Sequence, residues 1–277
     1  MIVDGRAIAK EILKSVRADV AKLGRVPVVR AVTAEPDAAT ESYLGVKSRR
    51  AKAAGMQLEI VRLAEGATTD DAIQALLAPG ADALLVQLPL PAHFDQEAIL
   101  ASIPREKDAD VLSPEAYAAF ELREPESLVP PVAAAVVAVF VQTNLDLNGR
   151  RILVIGNGRL VGKPVWQWLE GEGFESEIIT QEQSSELPVL LPQMDVIISG
   201  AGSPGLIRPE YLQQGVVLID AGTSESGGAI VGDADPACAE KASVFTPVPG
   251  GVGPIAVACL FRNAAILAER ASLHTGQ

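Results

Sequence analysis

The sequence predicts an α/β protein of two domains, and three observations carry that expectation. Short apolar runs rich in β-branched residues alternate with segments of helical periodicity. The alternation restarts after a polar segment near the middle of the chain. The restart carries a glycine-rich turn directly after its first apolar run. Continuous apolar strands separated by helices mark a parallel sheet covered on both faces, because each crossover lays a helix across the sheet.

Ile8, Ile12, Val16, Val20 and Leu23 recur at helical spacing, and the run VPVVRAVTA after them is a strand. A helix is expected over 37–54, ended by Gly55, then strand MQLEIVRL, a helix over 70–77 and strand ADALLVQL, which stops at PLPAH. Past PREKDADVLSPE come a helix over 132–140, strand RILVIG, a helix over 164–170 and strand EIIT, with further strands at DVIISG, GVVLID and ASVF. This second half has the pattern of a Rossmann-type unit with its glycine-rich loop at the first strand-to-helix turn. A last helix, over 255–271, is apolar on one side and expected to pack back on the first domain. The expected boundaries are therefore 1–127, completed by 255–277, and 128–254.

A chain of 277 residues buries enough apolar surface to fold without staples. Cys238, Cys259, His93 and His274 do not have the spacing of a zinc site or a disulfide framework, so a reduced, cytoplasmic protein without a metal is expected. The start MIVDGRAIAK lacks the pattern of a secretory leader, and no run of about 18 apolar residues is evident, so a soluble protein without a membrane partner is expected. A formal net charge of -12 argues against nucleic acid as partner, since the phosphate backbone is repelled.

Parallel sheets bind ligands at the carboxyl ends of their strands, which directs attention to SYLGVK (42–47), QLPLP (87–91), KDAD (107–110) and TPVPGGVGP (246–254). Tyr43 and Lys47 lie four apart, on one helix face. A solvated Tyr–Lys pair beside the basic Arg49, Arg50 and Lys52 is the plain alternative. Lysine accepts a proton near neutral pH only when burial lowers its affinity from the usual value of about 10.4. Gln87 is a neutral partner that positions a lysine without holding it protonated, or an amide that ties down the PLP turn. Asp110 suits the paired N–H edge of an amino-substituted heterocycle, or is a solvated loop acid, or caps the helix starting near Pro114. In TPVPGGVGP, Gly250 and Gly251 permit close approach of a ligand, and Pro254 suits the first turn of the final helix.

Together these stretches resemble the bifunctional methylenetetrahydrofolate dehydrogenase/methenyltetrahydrofolate cyclohydrolase family. Y-x-x-x-K, Q-L-P-L-P, K-D-x-D and P-G-G-V-G-P occur in the family's order, from VDGRAIA to the last helix. The resemblance implies an N-terminal folate-binding domain and a folate cleft between the domains. Lys47 would be the central acid/base residue, Gln87 its tuner, Tyr43 a stacking ring and Asp110 the holder of the pterin, with Leu88, Pro89, Pro249, Gly250 and Gly251 also on the folate. It implies oxidation of 5,10-methylenetetrahydrofolate with a nicotinamide cofactor, hydrolysis of the methenyl product to 10-formyltetrahydrofolate, and a homodimer in one-carbon metabolism. The departures are KDADVLS, which loses the family's glycine at Val111 and histidine at Ser113; Val129, Pro130 and Pro131 in place of C-T-P; and Ala256 in place of threonine.

IGNGRLVGKP spaces its glycines G-x-G-x-x-x-G, one longer than the usual dinucleotide fingerprint, and matches the family's own longer loop at Val161, Gly162 and Pro164. The cofactor is expected on Gly156, Asn157, Gly158, Arg159, Gly162, Glu182 and Thr223. The resemblance implies NADP. Glu182, after EIIT, favours the free ribose hydroxyl of NAD, unless Arg159 turns back to a 2′-phosphate. Two alternatives to the bifunctional enzyme stay open: a folate-binding paralog with a degenerate cofactor site, and an NAD-dependent dehydrogenase with little cyclohydrolase activity.

Overall fold

The structure is a computed structural model that describes residues 1–226 and 229–274. It divides into two compact units, one of Lys10–Pro131 with the chain from Val257 onward, the other of Met1–Ala9 and Val132–Ala256.

In the first unit three parallel strands, β1 (Val28–Thr33), β2 (Gln57–Arg62) and β3 (Ala83–Val86), lie in the order β2-β1-β3. The helices are α1 (Gly5–Lys22, begun in the other unit), α2 (Ala38–Ala54), α3 (Thr69–Leu77), α4 (Gln96–Ala101) and α5 (Pro114–Glu121). Helix α2 starts and stops where its sequence says. Asp37 accepts the Thr40 N–H at the N-cap, and Gly55 closes the C-terminus at φ 80°, a conformation that costs glycine little. Val32, Leu76, Leu84, Val86, Ile99 and Leu100 form its core, which brings in α4, a helix the sequence pattern did not announce.

The second unit is a five-stranded parallel sheet, β4 (Ile152–Ile155), β5 (Ser176–Ile179), β6 (Val196–Ser199), β7 (Val217–Asp220) and, after β8 and β9, β10 (Val244–Thr246), in the order β10-β7-β6-β4-β5. Strands β8 (Ser224–Ser226) and β9 (Ala229–Val231) form a separate antiparallel pair absent from the expected elements. Helix α6 is Pro131–Gln142, α7 is Gly162–Gly171 and α8 is Leu187–Leu190. Each interior strand is fully buried, as its unbroken apolar run requires.

The N-terminus departs from the expected division. Val3 N–H donates to the Phe245 carbonyl at 2.8 Å and Phe245 N–H to the Met1 carbonyl at 2.9 Å, so Met1–Val3 extends the β10 edge of the second sheet. Backbone pairing thus groups Met1–Ala9 with residues 132–256. The last helix, α9 (Val252–His274), returns to the first unit from Val257 onward, as expected. Over Val252–Leu273 its mean hydropathy is 1.4, so by length and composition it is apolar enough to cross a membrane, contrary to the expectation of no such run. Most of that window, 61%, is buried inside the protein, as in the core helix of a folded domain.

Candidate functional site

Helix α2 follows β1, and Gln87 follows β3, its parallel neighbour, so both loops open at the same sheet edge. There the half-buried Lys47 donates from Nζ to Gln87 Oε1 at 2.9 Å. The Gln87 amide donates in turn from Nε2 to the Leu88 carbonyl at 2.9 Å, so it both anchors the QLPLP turn and presents its oxygen to the amine. Tyr43 lies one turn earlier on the same face of α2. Burial lowers the proton affinity of Lys47 below that of a free lysine, and Asp110 pulls it partly back.

Asp110 comes from a tightly held segment. The Ala109 N–H reaches the Leu84 carbonyl at 3.4 Å, while Asn263 of α9, 2% exposed, donates from Nδ2 to the carbonyls of Ala109 and Val129, each at 3.0 Å. Asp108, fully buried, accepts the N–H groups of Leu112 and Ser113 on Oδ2 at 2.9 and 2.7 Å. Burial raises Asp110 above the usual carboxylate range, opposed by Lys47 and reinforced by Asp108. Burial likewise raises Asp108, opposed by the hydrogen bonds from Ser113, Leu112 and Val111. The cap of α5 is Ser113, whose Oγ accepts the Ala116 N–H, so the capping alternative for Asp110 is set aside. An amine, a neutral amide oxygen and a carboxylate on one sheet edge form a set able to move a proton.

Pro249, Gly250 and Gly251 lie in the second unit, between β10 and α9. Gly250 has φ 115°, and a Cβ on Gly251 would press on the Pro247 carbonyl, so both glycines are dictated by the backbone path. Pro254 sits in the first turn of α9, and the Leu88–Pro89 and Val248–Pro249 peptide bonds are cis.

The loop after β4 is shaped the same way. Gly156 has φ 95°, a Cβ on Gly162 would overlap the Gly156 carbonyl, and one on Gly200 would overlap Val161. The start of α7 is therefore packed directly on the end of β4, which is what the last glycine of a dinucleotide loop permits. Among the described residues no side chain caps that start, where Lys163 N–H donates to the Gly158 carbonyl at 3.2 Å and closes the loop onto the first turn of α7. Asn157, Gly158 and Arg159 are exposed beside it, Glu182 is exposed past β5, and Thr223 is exposed between β7 and β8. The residues fit a dinucleotide.

Two family models match the chain, the catalytic domain of tetrahydrofolate dehydrogenase/cyclohydrolase over residues 3–110 and its NAD(P)-binding domain over residues 130–272. The chain belongs to the tetrahydrofolate dehydrogenase/cyclohydrolase family. The bifunctional protein FolD of Rhodospirillum rubrum is 36% identical over 95% of each chain. The FolD structure from Campylobacter jejuni superposes with a TM-score of 0.92 at 27% identity, over 98% of this chain and 99% of that one. The Trypanosoma brucei enzyme, solved with NADP and an inhibitor, gives a TM-score of 0.91 at 30% identity, over 98% of both chains.

Beyond the motifs that carry the family resemblance, the structure adds buried polar residues that the sequence did not single out. Asp108 and Asn263 hold the Asp110 segment. In the second unit the buried Asp233 accepts Ser199 Oγ–H at 2.6 Å and the N–H groups of Ala201 and Ser203, while Asp220 accepts those of Gly222 and Ala234. Burial, with the N–H groups in partial opposition, pushes Asp220 up to about 6. A sign was present in the sequence: an acid closes the apolar run GVVLID, and Asn263 interrupts an apolar helix.

Proposed function

We propose that this protein oxidises 5,10-methylenetetrahydrofolate to 5,10-methenyltetrahydrofolate with NADP and hydrolyses that product to 10-formyltetrahydrofolate. The observation that carries the reading is the 2.9 Å contact of Lys47 Nζ with Gln87 Oε1, in a setting that lowers the amine's proton affinity. Neutral Lys47 takes a proton from water as the water oxygen bonds to the methenyl carbon. The resulting ammonium returns a proton to folate N5 as the bond from carbon to N5 breaks, and the carbinol proton leaves to solvent, so the formyl group stays on N10. Gln87 aims the amine without the full charge that would keep it protonated.

Asp110 takes the N–H edge of the pterin and Tyr43 stacks on the folate, with Leu88 and Pro89 supplying further contacts. Hydride transfer asks chiefly for alignment of the two reactants. NADP, when bound, supplies the hydride acceptor; Gly156, Gly158 and Gly162 would hold its pyrophosphate, and Asn157, Arg159, Glu182 and Thr223 its remaining groups. A second reading, NAD as the cofactor, is favoured by the exposed Glu182 past β5. The working form is a cytoplasmic homodimer acting on small folates rather than on nucleic acid or membrane, in keeping with the net charge of -12. Sedimentation tests the dimer.

The chemistry is tested by following methenyltetrahydrofolate absorbance as it forms with NADP or NAD and then decays. Formation with NADP and enzyme-dependent decay are expected. Absence of both, in a folded protein, would overturn the reading.

A further inference from the structure

We propose that Asp108 is the positioning residue of this site: by tying down the turn through Ser113 it keeps Asp110 turned toward Lys47. The inference rests on the cyclohydrolase reading and adds to it a residue that does not touch substrate.

Three observations carry it. First, Asp108 is fully buried, with Oδ2 shared by the Leu112 and Ser113 N–H groups and Oδ1 without a hydrogen-bond partner among the described residues. A buried carboxylate satisfied on one oxygen only is a costly way to fill space, and native structures retain such groups where they serve something other than packing. Second, Val111, inside that turn and 1% exposed, has φ 57°. A β-branched side chain resists the left-handed conformation, so it persists only where its surroundings impose it. Asp108 Oδ2 holds the two N–H groups directly after Val111, and the Val111 N–H bears on the same carboxylate. Third, the other side of Asp110 is fixed as well, through Ala109 to Leu84 and Asn263. Asp110 thus stands between two anchored points, and its direction is set by them.

A cap for α5 does not explain Asp108, because Ser113 Oγ already accepts the Ala116 N–H. Nor does charge alone. Asp108 bears on Asp110 through repulsion, which raises Asp110, while the charged group bearing on Lys47 is Asp110. Holding the turn is what keeps that second interaction in place.

The test measures cyclohydrolase kcat and KM for methenyltetrahydrofolate across pH in the full chain, for the parent and for Asp108→Ala, Asp108→Asn, Asp110→Asn and Val111→Gly. A parent without hydrolysis defeats the functional reading itself, whatever the variants do. With an active parent, Asp108→Ala is expected to raise KM about tenfold and to move the acidic limb of the pH profile, where Lys47 gains its proton, to lower pH, as Asp110→Asn does. Asp108→Asn retains an oxygen for both N–H groups and should restore most of what alanine loses. In a Val111→Gly background the alanine substitution should cost at least about threefold less, since glycine accepts the left-handed turn unaided. Where Asp108→Ala does not fold, the asparagine variant decides: near-parent KM and an unmoved profile support the clamp. A folded Asp108→Asn with a tenfold higher KM or a displaced profile overturns it, as does a folded Asp108→Ala with parental kinetics or a cost that Val111→Gly leaves unchanged.

Discussion

The amine of Lys47 donates to the side-chain oxygen of Gln87 at 2.9 Å, across 40 residues of sequence. Both side chains reach this point because β1 and β3 are parallel neighbours, and the loops leaving them open on one edge. Neutrality of the partner is the chemically important feature. Gln87→Glu places a carboxylate on the amine, which favours its charged form, so hydrolysis at pH 7 should fall by at least about tenfold. Decay of methenyltetrahydrofolate reads the loss directly. Undiminished decay would remove the tuning role from Gln87.

Asp110 acts on the same amine with the opposite sign. Its carboxylate raises Lys47 against the lowering by burial, so Asp110→Asn should lower Lys47 further. The neutral amine then forms at lower pH, and the acidic limb of the hydrolysis profile, where that amine is protonated, shifts in that direction. Asp110→Ala should in addition weaken folate binding, by about tenfold for the loss of a paired carboxylate contact. Folate titration by fluorescence checks the second effect independently of turnover, and unchanged affinity would point to a carboxylate that does not meet the pterin.

Lys47→Met should abolish hydrolysis while leaving the fold intact. The stability consequence has a definite sign. Lys47 is lowered in the native state from the ordinary 10.5, so between that lowered value and 10.5 the unfolded chain binds the proton more readily. Stability of the parent therefore rises with pH across this window. The methionine variant lacks that dependence, and its advantage in urea melts should be largest at neutral pH and shrink toward pH 10. A parent and variant whose melts differ by the same amount at both pH values would mean that the amine is not sheltered.

Much of the fold was legible because its signals are local. The limits of α2 follow from Asp37, from Gly55 and from helical spacing between them, and each interior strand of the five-stranded sheet, β4, β6 and β7, is a largely apolar run of its own. Candidate folate residues could be named through the resemblance, but the meeting of Lys47 with Gln87 could not be read from spacing, because it depends on which strands are neighbours. Asn263 shows why the supporting residues were missed. Its partners, Ala109 and Val129, are more than 130 residues away, and both contacts are to backbone carbonyls that carry no side-chain pattern. Pairing of Met1–Val3 with Phe245 is likewise backbone to backbone. The β8 and β9 segments are polar and short, without the alternation that marks a strand facing a core.

On the proposed reading of the cofactor site, the acid beside the ribose is Glu182, exposed just after β5. An acid at this strand end suits a free ribose hydroxyl and repels a 2′-phosphate. Glu182→Lys should therefore tighten NADP relative to NAD, by about threefold or more for a solvent-exposed charge reversal. Direct titration of each dinucleotide gives the ratio without reference to catalysis. A ratio that does not move would place the acid away from the ribose.

The dinucleotide loop offers the sharpest steric prediction. A Cβ at Gly162 would overlap the Gly156 carbonyl, and Gly156 itself holds φ 95° with its N–H on the Ile179 carbonyl at 2.8 Å. Neither side can yield cheaply, because both are backbone. Gly162→Ala must push the start of α7 away from β4, which should cost about 2 kcal/mol or more of stability and distort the loop proposed to hold the pyrophosphate. Gly158 is the matched control. A Cβ there would meet no described atom within 4 Å, so Gly158→Ala should fold as well as the parent. Thermal melts of the two variants, with and without NADP, separate the cases: Gly162→Ala should lose both stability and the shift on adding cofactor. Equal melts for the two would mean that α7 does not need its close seat on the strand.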